Sequence, residues 1–155
     1  IIILEKLKSI KIQIVTFVTK KILMQNKGLK FKVLIIAFSD DIYKFHYALT
    51  MASTLSAIEK KVSIFISGYA CNYIKKDWME NSANKITNKF LEKKMPSLKD
   101  LFAYCKDLNV NIYYCDTALN FLDINKSNLI DTIQLKPLGM YTIFNEHKKD
   151  EMIFI

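Results

Sequence analysis

The sequence predicts a single-domain α/β protein: a five-stranded, mostly parallel sheet with helices on both faces, in strand order 2-1-3-4-5. Three observations point there. Short, continuous apolar runs rich in β-branched and aromatic residues, "KVLIIAF", "VSIFIS" and "VNIYYC", are the pattern of strands covered on both faces. Helix-length segments separate them, and the alternation of strand and helix runs to the last residue. The chain has 155 residues, about half of them hydrophobic and a quarter charged, which suits one domain with a real core.

The first 30 residues stand apart. The chain begins with Ile1 and its first methionine is Met24, so residues 1–30 are expected to be an N-terminal extension to a domain spanning 31–155. Ile3, Leu7, Ile10, Ile14 and Phe17 recur at helical steps, while Ile10, Ile12 and Ile14 alternate as a strand would. Lysines at 6, 8 and 11 interrupt the apolar run far short of a membrane span, leaving residues 1–23 as the one segment suited to a membrane surface.

From there each element has its own signal. Residues 31–38 are strand one, followed by Ser39-Asp40-Asp41, in which Ser39 or Asp40 is expected to cap the next helix. That helix spans 42–60, with Phe45, Leu49, Ala52 and Leu55 on one face, and strand two follows at 62–67, closed by Gly68. Residues 72–95 are rich in Asn and Lys with weak periodicity, which predicts an irregular or partly helical excursion with Trp78 packed against the domain. Ser97 and Asp100 form a variant capping box for a helix whose face is Leu98, Leu101, Phe102, Cys105 and Leu108. Strand three is 110–115, a polar helical turn follows near 116–130, and strand four is expected at "DTIQL" (131–135). A helix over 139–149 and strand five at 151–155 complete the pattern.

Composition narrows the function classes. The net charge is +8, but all 23 basic residues are lysine and residues 1–30 hold +6 of the excess. Without arginine, the residue best shaped for bidentate phosphate and guanine contacts, nucleic-acid binding is not expected. Three cysteines, Cys71, Cys105 and Cys115, form no CxxC pair, and only His46 and His147 accompany them, so neither a disulfide framework nor a metal centre is expected. Glycines occur only at 28, 68 and 139, which excludes GxGxxG and P-loop cradles. No cofactor is expected. A nucleotide- or flavin-binding protein remains an alternative only through the polar strand-end loops.

Ligands of open parallel sheets bind beyond the carboxyl ends of the strands, where the strand order reverses. In the order 2-1-3-4-5 that crevice falls between strands one and three, lined by Ser39, Asp40, Asp116 and Thr117, with Cys115 at its centre. A helix starting after Cys115 favours negative charge on its sulfur, and Asp116 opposes it. Cys71, just past strand two, is a candidate second thiol; strand one would separate its strand from that of Cys115 by about 9–10 Å. Cys105 lies on the apolar helix face and reads as core, and His46 and His147 read as packing or surface residues.

The segment "MPSLKDLFAYCKDLNVNIYYCDTALNFLDINKSNLID" resembles the second half of DsrE/DsrF-like proteins, particularly a stand-alone bacterial branch with a peroxiredoxin label. There a helix of the form "MPSLEELLELAKELGVKI" runs into a strand that ends in cysteine, followed by an "xxSMDxMGI" turn and an acidic "EELID". "KVLIIAFSDDIYKFHYALTMASTLSAIEKKVSIFISGYA" is similar to the opening strand–helix–strand of the same family. The chain departs from the branch pattern at Ala118-Leu119 for Ser-Met, at Asp123 for Gly, and at Asn109 for the helix-end Gly.

The resemblance implies a flavodoxin-like sheet, assembly into homo-oligomers (trimers or hexamers), and a cytoplasmic sulfur-relay role. It implies that Cys115 carries a persulfide between donor and acceptor proteins. A non-catalytic oligomeric subunit of the same family is the alternative.

Overall fold

The computed structural model describes residues 31–79 and 83–155; the expectations for residues 1–30 lie outside them. Five strands, β1 (Lys32–Ala37), β2 (Lys61–Ile66), β3 (Asn111–Cys115), β4 (Leu135–Leu138) and β5 (Glu151–Phe154), pair in parallel throughout. The helices are α1 (Ile42–Ala57), α2 (Ala83–Glu92), α3 (Leu98–Asp107), α4 (Asp116–Phe121) and α5 (Met140–Glu146). Two 3-10 turns, Gly68–Ile74 and Lys126–Asn128, lie after β2 and α4.

The all-parallel sheet agrees with the sequence, but its order is 4-3-2-1-5 and not 2-1-3-4-5. Three successive crossovers step the same way, from β1 to β2, β3 and β4, and only the last returns to lay β5 beside β1. A right-handed crossover permits a step to either side of the sheet, so local pattern does not fix the direction. Edge chemistry does carry a signal. β2 occupies the centre, and every residue from Val62 to Ile66 is buried, while the edges fall to "LKPL" and "EMIF".

β4 is also displaced from the expected 131–135 to 135–138. Pro137 argues against a strand in an interior position, yet it is tolerated at an edge, where its missing N–H faces no neighbour. Ile133 turns inward just before this strand, and Lys76 holds Asp131 by an ion pair of 2.8 Å.

The alternating registers sort the strand residues onto two faces. Val33, Ile35, Ile64, Ile66, Ile112 and Tyr114 share one, and Leu34, Ile36, Ser63, Phe65 and Tyr113 share the other. α1 packs on β1 and β2 and against α3, burying Phe45, Leu49 and Ala52. The returning crossover places α5 on the opposite face, where His147, at its end, meets the Tyr113 ring edge-on at 6.5 Å. Fully buried Ile143 anchors α5 there.

Helix boundaries follow local chemistry. Asp41, one residue later than expected, caps α1 by accepting the Tyr43 and Lys44 N–H groups at 2.8 and 3.3 Å; Ser39 Oγ accepts the Asp41 N–H. The capping box of α3 is as expected: the Asp100 N–H donates to Ser97 Oγ, and the Ser97 N–H donates to Asp100 Oδ2 at 2.9 Å. These hydrogen bonds, foremost the Ser97 hydroxyl, hold the Asp100 carboxyl below the usual carboxylate range.

Each of the first four helices ends with a left-handed residue that is not glycine: Glu59, Lys94, Asn109 and Asp123, at φ between 54° and 64°. At each end two N–H groups bond back to the last turn, as in Val110 N–H to the Cys105 carbonyl at 2.8 Å and Asn109 N–H to Lys106 at 3.1 Å.

Candidate functional site

With β2 in the centre, the crevice expected between strands one and three is occupied by a strand. Ser39 and Asp40, after β1, and Asp116 and Thr117, after β3, therefore flank the turn after β2 instead of facing each other. The loops that do adjoin are those carrying Cys71 and Cys115.

The turn after β2 is built from Gly68 upward. Gly68 sits at φ +49, and an added Cβ would lie 2.9 Å from the Phe38 carbonyl oxygen, so only glycine fits without displacing the loop after β1. The chain then coils back over the strand end and the Cys71 thiol donates to the Ile66 carbonyl at 3.6 Å. Because Ile66 pairs with Tyr114, the fold brings Cys71 beside the start of α4. The Tyr73 hydroxyl donates to the Asp40 carbonyl and so ties the loops after β1 and β2 together. Trp78 packs edge-on against Tyr73, at 4.9 Å between ring centres, in the packing role expected of it.

All three cysteines are free thiols, and all three are buried. Cys105 is fully enclosed between α3 and α1, donating to the Leu49 carbonyl at 3.8 Å, and burial pushes its pKa up to about 12. Cys71 is equally enclosed and is also raised to about 12, by burial first and the neighbouring Cys115 second, with the Cys115 N–H working the other way. Cys115 retains 3% exposure. It ends β3 and occupies the position before the first turn of α4, and its side chain makes no capping hydrogen bond.

Asp116 points one carboxylate oxygen inward. That Oδ1 is buried and lies 2.9 Å from the Lys126 ammonium, an ion-pair contact that raises the lysine's pKa. Thr117 is exposed. Tyr69, in the turn after β2, and Phe121, the last residue of α4, meet edge-on at 6.4 Å, with Phe121 73% exposed. Phe38, Met140 and Tyr141 are exposed near the same strand ends. This aromatic rim was not foreseen, although "SGYACNYI" and "DTALNF" hold an aromatic residue close to each cysteine.

His46 is buried, stacks on Phe90 at 4.0 Å between ring centres, and places Nε2 2.8 Å from the Pro96 carbonyl. His147 pairs through Nδ1 with Asp150 at 2.7 Å, at the amino ends of the strands. Among the described residues no group of three His, Cys, Asp or Glu converges on a metal position, and no helix is long and apolar enough to cross a membrane.

The all-parallel five-stranded sheet with covering helices makes this a small α/β protein. The chain belongs to the DsrE/DsrF-like family, whose pattern it matches over residues 32–152. Among solved structures it is similar to the YchN protein of E. coli, with a TM-score of 0.60 and 13% identity. It is also similar to MTH1491 of Methanobacterium thermoautotrophicum, a protein described as of unknown function, with a TM-score of 0.59 and 11% identity. Each alignment covers 81% of this chain and 99% of the other. At such identities the likeness concerns the fold. No curated protein matches the chain at comparable stringency.

Proposed function

We propose that the protein is a cytoplasmic sulfur-relay or thiol-redox carrier that holds a persulfide on Cys115 between a donor and an acceptor protein. The observation that carries this reading is the contrast among the thiols. Cys71 and Cys105 have no exposure, whereas Cys115 ends a strand at the ligand-binding end of the sheet and keeps a trace of surface.

The transfer is a simple exchange. The Cys115 thiolate attacks the outer sulfur of a donor persulfide, R–S–SH; the donor S–S bond breaks, the donor leaves as R–S⁻, and Cys115–S–SH forms. The reverse attack by an acceptor thiolate discharges it. Such a carrier needs no metal and no general base, in keeping with a site that gathers thiols and aromatic rings. With 3% exposure, loading requires the six-residue α4 to give way beneath Phe121. We assign the exposed rim of Tyr69, Phe121, Met140 and Tyr141 to assembly with further copies, as a trimer or hexamer, and to docking of donor and acceptor.

Purified protein offered a persulfide donor should gain about 32 Da per sulfur, seen by intact mass, and Cys115→Ser should not. Equal loading of both proteins rejects the carrier reading. The near-complete burial of Cys115 favours the second reading, a subunit that retains the sheet and the assembly surface without chemistry; it predicts an oligomer whose Cys115 accepts no sulfur.

A further inference from the structure

The other end of the sheet holds a polar pocket that sulfur transfer does not use. We propose that the cavity bounded by Lys32, Lys61, Ser63, Asn111 and the His147–Asp150 pair binds a small tetrahedral oxyanion of the phosphate or sulfate type.

The site is separate from the thiol. Lys32, Lys61 and Asn111 open β1, β2 and β3, whereas Cys115 closes β3, four residues and about 13 Å further along at the usual rise of a strand. Lys32 and Lys61 are register partners on adjacent parallel strands, and alternation puts them on the face of Leu34 and Ser63, the one that α5 covers. Like charges side by side on one face of a sheet are destabilising. Among the described residues neither ammonium has a carboxylate within 4.0 Å. An anion between them removes the repulsion.

The remaining walls suit the same ligand. Ser63 is buried and offers a hydroxyl, and half-buried Asn111 offers an amide. Asp150 Oδ2 is turned toward His147 Nδ1 at 2.7 Å, with the two side chains 9% and 13% exposed. Glu146, exposed at the rim, is the other carboxylate lining the cavity. The cavity volume is about 160 Å³, ample for one small tetrahedral anion with water. A bound cation would face both lysines.

The test is an amide chemical-shift titration of the full chain with sodium phosphate and, separately, sodium sulfate, with chloride holding ionic strength constant. Saturable shifts at Ser63, Asn111 and His147 are expected. Lys32→Met with Lys61→Met should weaken binding by about tenfold or more, and Lys61→Arg should largely retain it. Both lysines are exposed at strand starts, so the double variant folds, which its unshifted spectrum elsewhere verifies. Cys115→Ser should bind like the parent. Shifts that grow linearly, spread evenly over surface lysines, or survive unchanged in the double variant overturn the site.

Discussion

The Cys71 thiol lies against the backbone of Cys115, carried there by a 3-10 turn that folds back onto the end of the central strand. The sequence placed these cysteines two strands apart; the observed order places them on neighbours. Both sulfurs belong to one buried strand-end cluster, and their chemistry is separated by enclosure.

Alkylation should follow that enclosure. In the native protein at neutral pH, iodoacetamide should modify Cys115 first, with Cys71 and Cys105 reacting only on unfolding. Peptide mapping after a timed quench reads the order, and early labelling of Cys105 would contradict the packing described.

Alkaline pH should destabilise the fold through the same two thiols. Each is raised from 9.0 to about 12, so the folded state keeps the proton that the unfolded chain releases. Stability is therefore full below pH 9 and falls between 9 and 12, with a limiting slope of roughly 1.4 kcal/mol per pH unit for each thiol. Denaturant midpoints across that range should drop less steeply in Cys105→Ala, whose neutral-pH stability is lower by about 1 kcal/mol from lost packing.

Helix ends offer stabilising changes. Glu59, Lys94, Asn109 and Asp123 all adopt a conformation that glycine takes without steric cost. Glu59→Gly or Lys94→Gly should each raise stability by about 0.5–1 kcal/mol, read as a higher denaturation midpoint. Asn109→Gly should gain less, since asparagine tolerates this region better, and Asn109→Ala should lose stability.

Removing His46 should harm the fold and spare sulfur loading. Its stacking on Phe90 and its contact with the Pro96 carbonyl support a cost of about 1–3 kcal/mol for His46→Ala. The folded fraction should still take up sulfur as the parent does, measured by intact mass.

Phe121→Ser should leave protomer stability within about 0.5 kcal/mol, because the ring is largely exposed, yet weaken assembly. Light scattering over a dilution series reads the outcome; an unchanged mass would remove this rim from the interface.

The sequence revealed much of this because most elements carry their own signals. "KVLIIAF" and "VSIFIS" can be little else than covered strands, and Ser97 with Asp100 announces its helix. Strand order was hidden because handedness restricts a crossover without choosing its direction. β4 was misplaced because Pro137 masks an edge strand. The thiol of Cys115 was expected at an open mouth, and its neighbours were mis-paired, since loop adjacency follows from strand order. The pocket around His147 draws on β1, β2, β3 and the turn after α5, so no local window contains it.

β5 joins the sheet beside β1 and forms the last link of the fold: the Phe38 N–H donates to the Ile155 carbonyl at 3.0 Å. Without residues 151–155 the outer border of β1 would lie unpaired, an apolar edge open to any other extended polypeptide, so detachment of this one strand exposes the chain to aggregation.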